Sequence, residues 1–388
     1  MSRLFLILLV CGGLAGYFLL EHSKSTPVPD DDPGQVETLE PAPTRGRRAI
    51  GEPILDPNAV LAEAIAANNR AIKHLEAGDF EAALAELEPA FEMAPDHAVL
   101  RANLAETLVR RALDRHNRVG GDRELALADL IRAGELAPDR EDLARMLERW
   151  RAEAEVEAEF AEYTSLHFEL AFDGSRTQLL HGAQQAIDVL EDAYADFRLF
   201  LNYDPVRERG SKLRVTLYEP EEFRALTGLG HWAGGAFDGT VRVPVEDFVR
   251  DRGRWSRTLR HELFHAFLSE YIRGPLPGWL NEGLAQWSEV SGADLDRDVR
   301  GARLRWEESD PIPLDELSGT LSQLGGESRI SLAYAQSLVL TEYLIVRFGE
   351  IGTARWLESM SEGATVESAF ETETGRSLAS VFEEFLDA

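Results

Sequence analysis

The chain has 388 residues, of which 40 are basic and 69 acidic, and its formal net charge is −29. This excess of negative charge excludes nucleic acid and anionic lipid surfaces as partners of the chain as a whole. Its one cysteine is Cys11, so the chain beyond that residue forms no disulfide and its core depends on packing, for which the length is ample.

An apolar stretch lies near the N-terminus. Leu4–Leu20 stands between an arginine and a glutamate, which predicts one short membrane helix within residues 1–21, with its start in the cytoplasm. A cleaved signal peptide is the competing interpretation, with Gly13 and Ala15 as small residues near a cleavage site. A lipoprotein anchored at Cys11 ranks third. All three interpretations export the rest of the chain, so we predict an extracytoplasmic location, periplasmic in a Gram-negative bacterium.

Residues 22–57 differ from what precedes and follows them. They are rich in proline and acid, include three consecutive aspartates at 30–32, and show no apolar period. This composition predicts a flexible tether.

Residues 58–160 contain a sequence pattern that occurs twice. Within each copy, the residues recur at helical spacing. The positions are Gly78, Asp79, Ala83, Leu87, Ala90 and Pro95, then Gly121, Asp122, Ala126, Leu130, Ala133 and Pro138. The small and large residues resemble the tetratricopeptide pattern of two packed helices, with an insertion near 115–120 that lengthens the second repeat beyond the usual 34 residues. We therefore predict an all-α repeat domain capped by a helix within 140–161.

The repeat domain has two possible roles. Because a single repeat does not bury its apolar face alone, stacked repeats offer a surface on which a protein partner can bind. A plain helical spacer is the equally weighted alternative, since alanine at helical spacing indicates packing rather than a ligand.

The third region, residues 161–388, mixes strand and helix patterns. Alternating segments at Phe168–Phe172, Leu213–Tyr218 and Gly239–Pro244 predict sheet strands, and Leu179–Leu201 has the period of an amphipathic helix. The fold class predicted for this region is α+β.

A metal-ligand pattern lies inside this region. The run HELFH places His261 and His265 one helical turn apart, on the same face, with Glu262 about 100° away from His261. A Pro/Gly break then precedes a helical pattern at Trp279–Val290, whose first turn contains Glu282. Two helices joined by a turn would bring Glu282 beside the histidines. The alternative is that these residues bind no metal: the two histidines lie at the edge of the core and the glutamate is solvated.

These residues resemble the gluzincin metallopeptidases and, within them, the peptidase MA-like family that often follows tetratricopeptide repeats. The segment WLNEG at 279–283 is also similar to the glutamate-ligand segment of the aminopeptidase N family, although its distance from His265 is shorter here. The resemblance implies a zincin-like domain, in which a mixed sheet stands beside the HExxH helix. It also implies an edge strand at Ala236–Val243 that pairs with an extended substrate.

The resemblance further implies a mechanism. His261, His265 and Glu282 would bind Zn²⁺, which leaves one position for a water molecule, and Glu262 would act as the general base. Tyr334 is the candidate partner for the oxyanion, with Tyr343 a weaker choice. Other first-row metals could also occupy such a site.

Three further details bear on the predicted site. The position four residues after Glu282 is not the aspartate that some relatives use to orient a histidine, so Asn281, Gln286 and Glu289 are candidates for that role. His231, in a glycine-rich segment, could reach a cleft, although exposure is the commoner outcome. The segment at 233–238 is the nearest analogue of the aminopeptidase N GAMEN string. It lacks the glutamate, which favours an endopeptidase.

Two functions follow from these observations. The first is a membrane-anchored, extracytoplasmic zinc peptidase that hydrolyses proteins or peptides and recruits a substrate or partner through its repeats. The alternative is a membrane-anchored tetratricopeptide scaffold whose zinc site is structural and does not hydrolyse peptides.

Overall fold

The computed structural model describes residues 57–117, 122–227, 236–237, 240–244, 251–272, 274, 276–307 and 309–387. The predicted membrane segment, the predicted tether up to residue 56, and His231 lie outside the described residues. None of the helices in the described ranges is long and apolar enough to cross a membrane. The described chain divides into two compact units, one within residues 57–150 and one that holds the described residues from 151 onward.

The first unit consists of α-helices. They are α1 Pro57–Glu76, α2 Phe80–Met93, α3 Ala98–Asn117, α4 Arg123–Leu136 and α5 Glu141–Glu157, the last of which continues into the second unit. Helices α1 and α2 pack along one another as a pair.

The repeated sequence pattern marks two equivalent helices. Asp79 caps α2 by accepting a hydrogen bond from the Ala82 amide at 3.1 Å, and Asp122 caps α4 in the same way through the Leu125 amide at 2.9 Å. The apolar members of both copies are buried: Ala83, Leu87, Ala90, Ala126, Leu130 and Ala133. The predicted helices are confirmed, and the tetratricopeptide assignment stays a prediction.

The second unit contains a mixed sheet. Its strands are β1 Ala161–Thr164, β2 Phe168–Phe172, β3 Leu213–Tyr218, β4 Ala236–Phe237 and β5 Val241–Pro244, in the order β1-β2-β3-β5-β4. The β2–β3 and β3–β5 pairs are parallel, and the β1–β2 and β4–β5 pairs are antiparallel. The α+β class with a mixed sheet is therefore confirmed.

The predicted edge strand at Ala236–Val243 needs correction. The segment forms two strands instead of one, and the short β4 lies at the edge while β5 lies between β3 and β4. Val241 and Val243 are almost fully buried, and a strand with such side chains gains from neighbours on both sides. Only the two residues of β4 thus occupy this edge within the described chain.

One face of the sheet carries buried ion pairs. Arg242 of β5 pairs with Glu153 of α5 at 3.1 Å, and both side chains are almost fully buried. Arg214 of β3 pairs on the same face with Glu157 at 3.1 Å and Glu169 at 2.5 Å. Because each buried charge has a partner, the sheet can bury both faces.

The second unit also contains the remaining helices. They are α6 Thr177–Leu201, α7 Pro205–Arg209, α8 Pro220–Thr227, α9 Arg252–Tyr271, α10 Gly278–Ser288, α11 Ala293–Glu307, α12 Leu314–Leu317, a 3₁₀ turn Leu321–Gln323, α13 Glu327–Ser361, α14 Val366–Thr374 and α15 Leu378–Leu386. Helix α13 is interrupted at Gly349, whose φ of 80° and ψ of 157° are not helical. Helix α10 packs against both α9 and α13, and this three-helix junction holds the candidate site.

Candidate metal centre

Helix α9 places the HExxH residues in the interior. Asp251 caps its start by accepting from the Arg254 amide at 3.0 Å, and the helix ends at Tyr271, before the Pro/Gly segment. His261 and Glu262 are fully buried and His265 is almost so. The prediction that the motif lies on a helix is confirmed.

Helix α10 brings Glu282 to the histidines. Glu282 Oε2 lies 3.5 Å from His261 Nε2 and 3.7 Å from His265 Nε2, and the two Nε2 atoms are 3.1 Å apart. The three side chains form the one group of candidate metal ligands within the described residues. The structure thus brings together the three residues predicted as ligands.

Hydrogen bonds fix the tautomers of both histidines. His261 Nδ1 donates to Glu289 Oε1 at 2.8 Å, and His265 Nδ1 donates to Asn281 Oδ1 at 3.1 Å. A neutral imidazole that carries its hydrogen on Nδ1 presents a lone pair at Nε2. In the neutral form of each ring, the Nε2 lone pair therefore faces the Glu282 carboxylate.

The donor set suits a divalent cation. While both imidazoles are neutral, no described group donates a hydrogen bond to either oxygen of the buried Glu282. Two nitrogen lone pairs and a carboxylate then meet, which is unfavourable unless a proton or a metal cation lies between them. Donors held tetrahedrally by one zinc ion would be about 3.3–3.5 Å apart, close to the separations observed here. The buried His-His-Glu group could bind a metal.

The pKa values of His261 and Glu282 also show that the site favours a positive charge. Burial alone would lower the pKa of His261, but the carboxylates of Glu282 and Glu289 outweigh it and raise that pKa to about 10. Burial would raise the pKa of Glu282, but the positive charge of a protonated His265 or His261 and the hydrogen bonds that such a ring donates lower it to about 2. In the absence of a metal ion, a proton thus supplies the positive charge. Glu262 adds to the negative potential at His261.

Gly283 lets α10 approach α13 closely. A Cβ atom at this position would lie 2.1 Å from Thr341 Oγ1 and 2.6 Å from the Ser337 carbonyl oxygen, both of α13. Those separations are too short for any other residue type without movement of the helices. The glycine next to Glu282 therefore fixes how deeply that glutamate is inserted between the helices.

The two candidate tyrosines have different surroundings. Tyr334 is buried on α13, and its carbonyl oxygen accepts a hydrogen bond at 3.1 Å from Gln286, which also donates to the Glu282 carbonyl. The backbone of Tyr334 thus lies beside the last turn of α10. The Tyr343 hydroxyl accepts a hydrogen bond from Arg347 at 2.6 Å, and its ring contacts Phe385.

The three residues considered for orienting a histidine have different hydrogen-bond partners. Asn281 and Glu289 each bond to one imidazole, whereas Gln286 bonds to backbone carbonyl groups. Sequence spacing alone did not rank them. The role of Glu289 was difficult to predict from its position in the sequence, because it follows the last residue of α10 and does not lie within the helix.

We expect Glu289→Ala to weaken metal affinity about 10- to 100-fold, because His261 loses the group that holds its tautomer and orientation. Competition against a chromophoric chelator measures this affinity. Gln286→Ala is the matched control on the same helix and should leave the affinity unchanged. An equal loss in the two variants would contradict the assigned role of Glu289.

The comparison with protein families bears on this arrangement. Residues 223–386 match the Peptidase MA superfamily. The matched segment runs from α8 to α15 and contains the HExxH helix, Glu282 and Tyr334, and it leaves out β1 to β3 and the first unit. The match supports an MA-clan metallopeptidase-like domain. No curated protein matches the chain.

Proposed function

We propose that the chain is a zinc-dependent peptidase of the gluzincin type, with His261, His265 and Glu282 as the metal ligands. The observation that carries this proposal is the buried triangle of two Nε2 atoms and one carboxylate oxygen at separations that suit one zinc ion, with both Nδ1 atoms engaged by Glu289 and Asn281. A zinc ion at these donors supplies Lewis acidity toward water and a peptide carbonyl. The superfamily match supports the peptidase class.

Glu262 is the proposed general base. It follows His261 on α9 and is fully buried, so its carboxylate is shielded from bulk solvent. It accepts a proton from the attacking water and then donates that proton to the leaving amine. Tyr334 is the proposed oxyanion partner, since its buried hydroxyl belongs to the helix that packs on Glu282.

The wider setting extends this proposal. The absence of a GAMEN-like glutamate from the segment at 233–238 favours an endopeptidase. The apolar segment Leu4–Leu20 supports a membrane-anchored enzyme with its bulk outside the cytoplasm. The helical first unit then serves to bind a substrate protein or a partner.

Metal removal tests this function. We expect the purified chain to cleave members of a mixed peptide library, to lose cleavage after treatment with a zinc chelator, and to regain it when zinc is added back. Mass spectrometry of the products measures cleavage. Undiminished cleavage by protein shown to be free of metal would contradict the proposal. A zinc-loaded protein that cuts no peptide, yet melts at lower temperature without zinc, would favour the structural-site scaffold.

A further inference from the structure

The same unit contains a cavity that the candidate metal ligands do not line. It is a cavity of about 610 Å³ between the end of α6, α9, the end of α10 and the part of α13 that follows Gly349. None of His261, Glu262, His265 or Glu282 lines it. Its volume falls within the range of about 300–1,000 Å³ that is typical of ligand sites.

The cavity has an aromatic floor. It is formed by Phe200 and Trp287, which are partly exposed and have ring centroids 5.6 Å apart, while Phe197 and Phe264 are buried beneath the surface. Rigid aromatic side chains lose little entropy when they bind a partner. The floor is therefore suited to apolar side chains.

The rim extends the apolar surface beyond the cavity. Leu199 of α6 is 84% exposed and Ile351 of α13 is 72% exposed, and both line the opening. Single exposed aliphatic side chains are ordinary, but two of them at the mouth of an aromatic cavity form a continuous patch. The surface is thus wider than a molecule enclosed by the cavity alone would cover.

The charge of the rim is negative. Arg260 is neutralised by Asp196 at 2.9 Å, and Arg355 stands 3.7 Å from Glu373. Glu350 and Glu358 line the cavity and form no ion pair with any residue in the described ranges. They are eight residues apart, about 12 Å along a helix. Their carboxylates favour an elongated partner with two positive charges at that separation.

We propose that this cavity binds a basic amphipathic peptide segment of a partner protein. Its apolar side chains occupy the aromatic floor and contact Leu199 and Ile351. Lysine or arginine residues about two helical turns apart face Glu350 and Glu358, as in helix-in-groove recognition. This inference concerns binding, so it stands independently of the proposed peptidase activity.

The test uses a fluorescent synthetic helix of leucine and lysine, with lysines seven residues apart, and the full chain. Fluorescence anisotropy measures binding in the Glu262→Gln background, so that no hydrolysis consumes the probe. We expect the lysine peptide to bind and a matched peptide with glutamate in place of lysine not to bind. Leu199→Asn and Ile351→Asn should each weaken binding about tenfold or more.

Two further variants locate the peptide. Glu350→Gln and Glu358→Gln should each weaken binding about two- to fivefold at low salt. Val346→Asn is the matched control, because Val346 is 74% exposed on α13 but does not line the cavity. It should bind as the parent does.

Several results would overturn the proposal. They are no binding of the lysine peptide, equal binding of the glutamate peptide, or equal weakening by Val346→Asn. Binding of an apolar dye that Ile351→Asn abolishes, without lysine-peptide binding, would assign the cavity to a small molecule instead. Self-association of the chain that Leu199→Asn abolishes would assign it to a second copy.

Discussion

Glu262→Gln is expected to lower kcat/KM by about 10²- to 10⁴-fold, because the amide no longer accepts the proton of the attacking water. The substitution keeps the size of a side chain that is fully buried, so the fold and the ligand triangle should remain. A fluorogenic peptide chosen from the library measures the rate, and elemental analysis of the same sample measures the metal.

The rate and the metal content together distinguish a loss of proton transfer from a loss of the metal ion. Lost activity with a full complement of metal assigns Glu262 to proton transfer. Undiminished activity in this variant would remove Glu262 from the mechanism. Lost activity together with lost metal would show instead that Glu262 supports the ligands.

Gly283→Ala is expected to disrupt the metal centre indirectly, by displacing α10. A methyl group there would lie 2.1 Å from Thr341 Oγ1 and 2.6 Å from the Ser337 carbonyl oxygen, so α10 must move away from α13 and carry Glu282 with it. We expect the free energy of unfolding to fall by about 1–3 kcal/mol. A displacement of a metal ligand or of the substrate by about 1 Å would lower kcat/KM about 100-fold.

Gly301→Ala is the matched control for this substitution. Gly301 lies within α11, and a Cβ atom there would meet nothing within 4 Å. It should leave activity intact and stabilise the protein slightly, since alanine restricts the unfolded chain more than glycine does. Urea denaturation and peptide hydrolysis measure both variants. An activity loss as large in Gly301→Ala would contradict the role given to the α10–α13 contact.

The three metal ligands could be predicted from the sequence because the prediction depends only on features that are close together in the chain. The distance from His261 to His265 matches one helical turn, and the Pro/Gly break before Trp279 predicts that a second helix starts there. The observed helices α9 and α10 follow both signals. The predicted strands at Phe168–Phe172 and Leu213–Tyr218 have the same bounds in the structure, since their alternation is also a local property.

Other features depend on how separate elements meet. Glu289, rather than Gln286, reaches His261 because of how α10 is rotated against α9. Burial of Arg242 depends on Glu153, which lies 89 positions earlier in the chain. The close approach at Gly283 depends on the register of α13. No spacing rule predicts contacts of this kind, although a glycine in the first turns of a helix does signal close packing.

The division of β4 from β5 has a similar origin. Alternation predicted a strand at Gly239–Pro244 and the family resemblance implied one at Ala236–Val243, but neither carried information about the point at which the chain reverses. The pairing of β5 with β3 places that strand inside the sheet. Only the tertiary arrangement distinguishes an edge strand from an interior strand in such a short segment.

The central claim is that His261, His265 and Glu282 hold one zinc ion. Elemental analysis of the purified full chain, beside a His261→Ala/His265→Ala variant with the same circular dichroism spectrum, tests it most directly. We predict one zinc per chain, lost in the variant. No metal in either protein, even after zinc is added, would contradict the account and leave the buried carboxylate of Glu282 to be explained in another way.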